Sequence, residues 1–175
     1  AYRAIRTALL LSRAGGVKTI VVSSSLPGEG KTSTSANLAV VLAQLGRKVL
    51  LIDGDLHKPR QHEIFRVSNR VGIVSALAEN MKVSDVIVET TVPSLDLMPA
   101  GPLSPNPSGL LASEAMSALL SEVAMKYDFV VIDSPPVSAV ADAIVIGNQT
   151  DGLVLCVEGG RTPREIVLPR QSMST

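Results

Sequence analysis

One stretch, residues 23–32, constrains the fold of this chain more than any other part of its sequence. It has the sequence Ser-Ser-Ser-Leu-Pro-Gly-Glu-Gly-Lys-Thr, follows the apolar run 20–22, and precedes a helical pattern over residues 33–45. A strand, a glycine-rich loop that ends in Gly-Lys-Thr and a helix together form a cradle for phosphate. In such a cradle Lys31 neutralises the anion, and Thr32 offers a hydroxyl group to Mg²⁺. The stretch therefore predicts a nucleoside triphosphate site.

The loop supplies the predicted nucleotide contacts. These are Pro27, Gly28, Glu29, Gly30, Lys31, Thr32 and Ser33. Glycines are needed in the loop because a side chain would keep the backbone away from the phosphate. The strict pattern has a glycine six residues before the lysine, whereas this chain has Ser25 there. An ordinary turn between a strand and a helix is the alternative, but the regular flanking elements favour a nucleotide site.

Three acidic residues are predicted to lie at the same edge of the sheet as this loop. The apolar run 48–53 ends in Asp53, with Asp55 shortly after it, and the run 128–133 ends in Asp133. Ligands of open parallel sheets bind outside the carboxyl ends of the strands. Carboxylates there can bind Mg²⁺ or accept a proton from a nucleophile. A single aspartate at a strand end is often a cap or a turn former, but the pair after the loop favours function.

The order of the predicted elements indicates an α/β fold, in which a mostly parallel sheet has helices on both faces. Strand and helix patterns alternate along the chain, and such alternation builds right-handed parallel units. Apolar residues make up 46% of the chain and aromatic residues 2%, which suits aliphatic strands that are buried on both faces. We predict strands at residues 18–23, 48–53, 95–98, 128–133 and 152–157. We predict helices at 2–11, 33–45, 61–65, 73–79, 84–89 and 139–146, a long one capped by Ser108, and one that begins at Thr162.

Length and charge limit the classes of function. The 175 residues suit one domain, and 16 basic residues balance 16 acidic ones, so net charge gives no support for a nucleic-acid partner. The sequence has no apolar run of 18 residues and no signal peptide, and it begins with Ala1 inside a helical pattern. We therefore expect a domain, 1–175, that is shortened at both ends. Cys156 is expected to be a buried structural thiol, and His57 and His62 are expected to be ordinary loop histidines.

Four motifs occur together in this chain. They are the loop 23–32 with Asn-Leu-Ala at 37–39, Leu-Leu-Ile-Asp-Gly-Asp-Leu at 50–56 with Lys-Pro-Arg at 58–60, Val-Val-Ile-Asp-Ser-Pro-Pro at 130–136, and the proline-rich loop 99–107. With them the chain resembles the cytoplasmic domain of bacterial tyrosine autokinases, which are P-loop NTPases related to the MinD/ParA ATPases. The resemblance covers nearly all of residues 2–166, and the Pro-Asn-Pro sequence of the last loop is its most family-specific motif.

The resemblance implies a role for each candidate site residue. Lys31 would contact the β- and γ-phosphates of ATP, and Thr32 would bind Mg²⁺. Asp53 and Asp55 would assist the acceptor tyrosine and the metal, with Asp55 among its ligands, and Asp133 would be the Walker B acid and a further metal ligand. The reaction is then in-line transfer of the γ-phosphoryl group, in which positioning and charge neutralisation supply most of the catalysis.

The resemblance also implies partners. The family uses two arginines of its first helix for ring-like self-association, and Arg3 and Arg6 match them. A membrane-embedded polysaccharide co-polymerase, fused or separate, would keep the domain at the inner face of the cell membrane. The family's last strand and its tyrosine-rich tail are expected beyond this chain, whose two tyrosines are Tyr2 and Tyr127. Tyr127, which precedes a buried strand, is expected in the core or at a sheet edge.

Two other functions stay open on sequence. A MinD/ParA-type switch would use ATP hydrolysis to control dimerisation, but that class has an extra lysine where this chain has Leu26. A nucleotide-bound oligomeric scaffold with little kinase activity is the other alternative. Two departures from the autokinase pattern also occur, namely His57 in place of an arginine and Gly109 in place of an acid.

Overall fold

Seven strands form one mixed sheet, in the order β3-β4-β2-β5-β1-β6-β7, in the part of the chain that the structure describes. The structure is a computed structural model, which describes residues 2–11, 17–24, 28, 30–136, 142–159 and 162–169. The strands are β1 (Thr19–Ser24), β2 (Val49–Asp53), β3 (Val88–Glu89), β4 (Leu95–Met98), β5 (Phe129–Asp133), β6 (Gly152–Gly159) and β7 (Thr162–Pro169). The five inner strands are parallel, whereas β3 and β7 are antiparallel to their neighbours at the two edges.

The helices lie on both faces of this sheet. They are α1 (Tyr2–Leu11), α2 (Lys31–Ala43), α3 (Gln61–Ile64), α4 (Ile73–Ala78), α5 (Pro107–Leu111), α6 (Glu114–Lys126) and α7 (Asp142–Gly147), with a 3₁₀-helix at Val83–Val86. Successive side chains of a strand point to opposite faces. Leu50 and Ile52 accordingly join a buried cluster with α4, α5, α6 and α7, whereas Val49 and Leu51 join one with α1 and α2. The predicted α/β fold is confirmed.

Two helical predictions are wrong, and for the first of them the reason is a pair of local caps. The long helix expected from Ser108 is two helices, α5 and α6. The Asn106 side chain accepts a hydrogen bond from the Gly109 N–H and begins α5, and the Ser113 hydroxyl accepts one from the Met116 N–H and begins α6. The helix expected at 84–89 is the 3₁₀-helix followed by β3.

The segment that begins at Thr162 is a strand, so the helix predicted there is wrong. A threonine followed by proline resembles a helix start, but pairing with β6 decides the structure. Strand β7 pairs with β6 over its whole length, from Thr162 beside Gly159 to Pro169 beside Gly152. Prolines at 163 and 169 are compatible with this position because β7 is at an edge of the sheet.

The strand register brings the acidic strand ends together. Asp53 at the end of β2 is the direct neighbour of Asp133 at the end of β5, and Asp133 is beside Val22 of β1. The loop that leads from β1 to α2 therefore begins one strand away from Asp133 and two strands away from Asp53. The parallel sheet thus places the motifs of residues 23–32, 50–56 and 130–136 together at the carboxyl ends of β1, β5 and β2.

A close backbone contact fixes the proline-rich loop to the rest of the fold. The N–H groups of Ile73 and Val74, at the start of α4, donate to the carbonyl oxygens of Pro99 and Ala100 at 2.8 and 3.0 Å. A methyl group added at Gly72 would overlap the backbone of Pro99, Ala100 and Gly101.

We expect Gly72→Ala to lower the free energy of unfolding by roughly 1–3 kcal/mol, because the overlapping atoms are backbone and cannot rotate away. Urea denaturation measures this change. Gly147→Ala is the matched control, since its added methyl group would meet the nearest atom, in Val21, at an ordinary 3.8 Å. Equal stability of the two variants would contradict the close contact.

Candidate active site

The described residues of the loop between β1 and α2 include two glycines with left-handed backbone conformations. Gly28 and Gly30 have φ angles of 82° and 80°, which side chains rarely adopt. Among the described residues, a methyl group added at either position would meet no atom within 4 Å. Helix α2 follows at once, and its first N–H groups have no partner within the helix. Pro27 and Glu29, two other predicted contacts, lie outside the described residues.

Lys31 joins the loop to the acidic edge. Its Nζ atom is 2.8 Å from Asp55 Oδ2, 3.2 Å from Asp133 Oδ1 and 3.4 Å from Thr32 Oγ1, and the residue is only 8% exposed. Burial by itself would lower the pKa of Lys31, but the attraction of Asp133 and Asp55 outweighs it and raises the pKa above the usual 10.5. Lys31 is therefore a charged ammonium group at neutral pH, close to two carboxylates.

Asp133 is the more deeply buried of these two partners. Burial raises the pKa of Asp133, although Lys31 and a hydrogen bond from Gln61 act in the opposite direction. Asp55 lies in the loop after β2, where its Oδ1 atom accepts a hydrogen bond from the Lys58 N–H at 3.1 Å. Thr32, Asp55 and Asp133, the predicted metal ligands, thus all surround the Lys31 ammonium group. Two carboxylates and a hydroxyl group suit Mg²⁺, which takes few protein oxygens and completes its shell with water and phosphate.

Asp53 is arranged differently from the other two acids. It is fully buried, and its carboxylate accepts hydrogen bonds from the backbone N–H groups of Asp55 (3.2 Å), Arg60 (3.0 Å) and Gln61 (3.0 Å). Burial, together with repulsion from Asp133, raises the pKa of Asp53 to about 7, although the three N–H groups favour the charged form. Its direct contacts shape the loop between β2 and α3 and thereby place Asp55.

Gln61 is a site residue that the sequence pattern does not indicate. Its side chain is fully buried, and its Nε2 atom donates to the Thr32 carbonyl oxygen at 3.0 Å and to Asp133 Oδ2 at 2.9 Å. We predicted it only as the first residue of a short helix. The available signal was a polar residue at the start of α3, close behind the acidic motif, where the chain returns towards the site.

Neither His57, in the loop before α3, nor His62, in α3, belongs to a metal-binding cluster of the described residues. His57 Nε2 is 3.1 Å from Asp142 Oδ2 of α7, and among the described residues no cluster of three His, Cys, Asp or Glu side chains could hold a metal ion. Cys156 is buried, as predicted. These residues give no second candidate site.

Tyr127 is a core residue, as predicted, and its hydroxyl group is hydrogen-bonded inside the fold. It is 6% exposed, and its hydroxyl group donates to Asp96 Oδ2 at 2.7 Å. The Lys48 Nζ atom lies 5.0 Å from the centre of its ring. Burial and the contact with Asp96 raise the pKa of Tyr127 above its ordinary value of 10. The phenol therefore stays protonated and engaged inside the fold.

The topology and this site define the class of P-loop nucleoside triphosphatases. A family model described as an AAA domain matches residues 17–157. The tyrosine-protein kinase YwqD of Bacillus subtilis is 44% identical over 165 residues, which are 94% of this chain and 70% of that protein. The crystal structure of the chimerical protein CapA2B2 has a TM-score of 0.86 and 41% identity, covering 89% of this chain and 69% of that one. The chain belongs to the family of bacterial tyrosine-protein kinases.

A more distant similarity joins the same fold to ATPases. The septum site-determining protein MinD of Pyrococcus horikoshii, solved in complex with Mg-ADP, is 27% identical with a TM-score of 0.67. The similarity covers 79% of this chain and 56% of that one. The resemblance to tyrosine autokinases is thus confirmed, together with their relationship to MinD. In the described residues, no helix is both long and apolar enough to span a membrane.

The burial of Asp53 predicts an unusual titration. We expect its carboxyl group to titrate near pH 7 in the folded protein, well above the 3.8 of an unperturbed aspartate. Between these pH values the folded state binds a proton that the unfolded state has lost. The contribution of the Asp53 carboxyl group to the stability of the fold is thus complete below about pH 3.8 and is lost as the pH rises through about 7.

The titration can be followed through the carboxyl ¹³C resonances, with Asp53 assigned from the spectrum of Asp53→Asn. The same protein unfolded in urea is the control, and there the resonance should titrate as an ordinary aspartate. A folded-state midpoint below about pH 5 would contradict the effect of burial.

Proposed function

We propose that this chain binds Mg²⁺ and ATP at the edge formed by β1, β2 and β5, and that it transfers the γ-phosphoryl group to protein tyrosine. The observation that carries the proposal is the position of Lys31. Its ammonium group lies at the start of α2, beside the open cradle at Gly28 and Gly30, and within 3.2 Å of Asp55 and Asp133. Membership of the tyrosine-kinase family supports tyrosine as the acceptor.

The residues present fit both groups. The cradle leaves room at both glycines for an anion to approach the backbone, and Lys31 can neutralise one phosphate charge. Thr32, Asp55 and Asp133 are the oxygen donors that would hold Mg²⁺. Pro27, Glu29 and Ser33 complete the proposed nucleotide contacts. The metal ion, when bound, neutralises charge on the β- and γ-phosphates.

Asp53, at the end of β2, and Asp55, in the loop after it, have different roles in this proposal. Asp55 contacts Lys31 directly, so it is the one that meets the metal and the reacting groups. Asp53 assists by folding the loop that carries Asp55, through three backbone hydrogen bonds. Its pKa of about 7 leaves it able to exchange a proton at neutral pH. The catalysis rests mainly on positioning and on charge neutralisation.

The partners follow from the family and from the first helix. Arg3 is exposed on α1, and Arg6 donates to the Val41 carbonyl oxygen of α2 at 3.5 Å, so α1 presents arginine on a helix anchored to the domain. We propose that this helix contributes to ring-like self-association. We further propose that a membrane-embedded polysaccharide co-polymerase, fused or separate, brings the domain to the inner face of the cell membrane, where it regulates polysaccharide synthesis or export.

A MinD-type ATPase switch is the second candidate, since the MinD structure shares this fold. The two functions differ in the fate of the phosphate. We expect the full-length gene product, incubated with γ-labelled ATP and Mg²⁺, to carry label on tyrosine. Label found only as free phosphate would favour the switch, and neither product with intact oligomers would favour a scaffold.

Removal of the Lys31 charge tests the site itself. We expect Lys31→Met to lower phosphotransfer by at least roughly 100-fold, because no other described cation contacts both Asp55 and Asp133. Transfer rates measured with labelled ATP check this. Lys126→Met is the matched control, since Lys126 is half exposed and its ion pair among the described residues is with Glu122 on the surface of α6. Equal rates in the two variants would refute the assignment.

A further inference from the structure

Gln61 joins three parts of the proposed site. Its Nε2 atom donates to the Thr32 carbonyl oxygen at 3.0 Å and to Asp133 Oδ2 at 2.9 Å, and its backbone N–H donates to Asp53 Oδ2 at 3.0 Å. Both side-chain partners are acceptors only, so the amide nitrogen must face them and the orientation of the amide is fixed. One residue thus connects the start of α2 with the ends of β2 and β5.

These contacts act on two carboxylates that repel each other. Asp53 and Asp133 are direct neighbours in adjacent strands, and their repulsion contributes to the raised pKa of Asp53. Gln61 donates one hydrogen bond to each of them, from its backbone and from its side chain. Hydrogen bonds to charged acceptors are stronger than those between neutral groups. The residue therefore favours the charged form of both acids and restricts the rotation of Asp133.

The oxygen of the same amide has an unmet requirement. Gln61 Oε1 is buried, and among the described residues no donor reaches it. A buried acceptor without a partner is unfavourable, so such an atom in a native fold calls for a physical reason. Hydrated Mg²⁺ keeps several of its water molecules, and these are hydrogen-bond donors. The spare acceptor thus suits a site that receives a hydrated cation.

We propose that Gln61 is a positioning residue for the metal ion: its amide fixes Asp133 and the backbone of Thr32 in the arrangement that binds Mg²⁺. The inference rests on the proposed function, because Thr32 and Asp133 are ligands only if the site binds Mg²⁺ with nucleotide. Outer partners of metal ligands orient them, and their loss commonly weakens metal binding by roughly 10- to 100-fold. Gln61 itself contacts neither the metal nor the reacting atoms.

The test separates metal binding from nucleotide binding. Binding of fluorescent ADP to the full-length protein is measured in EDTA and then during titration with Mg²⁺. We expect Gln61→Met, which keeps the length of the side chain but removes both polar atoms, to weaken the apparent Mg²⁺ affinity roughly 10- to 100-fold. Affinity for ADP in EDTA should change less than about twofold, because the cradle, Lys31 and the start of α2 stay in place.

Gln149→Met is the matched control. Gln149 also uses its Nε2 atom to join two carbonyl oxygens, those of Leu111 at 3.1 Å and Val145 at 3.2 Å. It precedes β6, however, so it lies near the amino end of that strand, whereas the proposed site lies at the carboxyl ends of the parallel strands. Thermal unfolding should show a loss of stability in both variants, whereas only Gln61→Met should change Mg²⁺ affinity. If Gln61→Met does not fold, Gln61→Leu, another apolar side chain of similar volume, takes its place.

The outcomes distinguish this inference from the proposed function. An unchanged Mg²⁺ affinity in Gln61→Met, or equal losses of ADP affinity with and without Mg²⁺, would show a merely structural residue and overturn the inference alone. Failure of the wild-type protein to bind ADP in the presence of Mg²⁺ would instead overturn the proposed function.

Discussion

The site depends on one buried ammonium group placed between two buried carboxylates. The single ammonium group of Lys31 faces two acids, Asp55 and Asp133. A triphosphate would add more negative charge, and in a buried setting such repulsion is large. A divalent cation between phosphate and carboxylates removes the conflict. The charges at this site therefore favour the proposed binding of the metal ion and the nucleotide together. A buried ion pair of this kind gives little net stability, so its value is in the chemistry.

The strand register is what brings these charges together. Asp53 pairs with Asp133, and a slip of one residue in either strand would exchange the side chains that pack on the two faces of the sheet. The buried aliphatic side chains on both faces of β2 and β5 thus fix the register. Core packing therefore also sets the geometry of the site, because the register that it fixes places Asp53 beside Asp133.

Sequence patterns predicted the parts that depend on neighbouring residues. Lys31 begins a helix after a glycine loop, and Asp53 and Asp133 end apolar runs, so each could be placed from its own surroundings. Gln61 could not, because its role depends on the path of the loop after β2 and on contacts with Thr32 and Asp133, 29 and 72 residues away. Strand β7 shows the same limit, since its pairing with β6 outweighed a local helix signal. The division of α5 from α6 turned on a single cap at Ser113.

The kinase and the ATPase switch share this core, so the core cannot separate them. The difference must come from what brings an acceptor to the site. Tyr127 is excluded by its contact with Asp96 inside the fold, and Tyr2 packs against the cluster around Ile5 on α1. These are the two tyrosines of the chain. An acceptor must therefore arrive from another segment or another subunit, and its access to the edge at Lys31 decides whether water or a phenol receives the phosphate. The self-association proposed for α1 is one way to bring such an acceptor to the site.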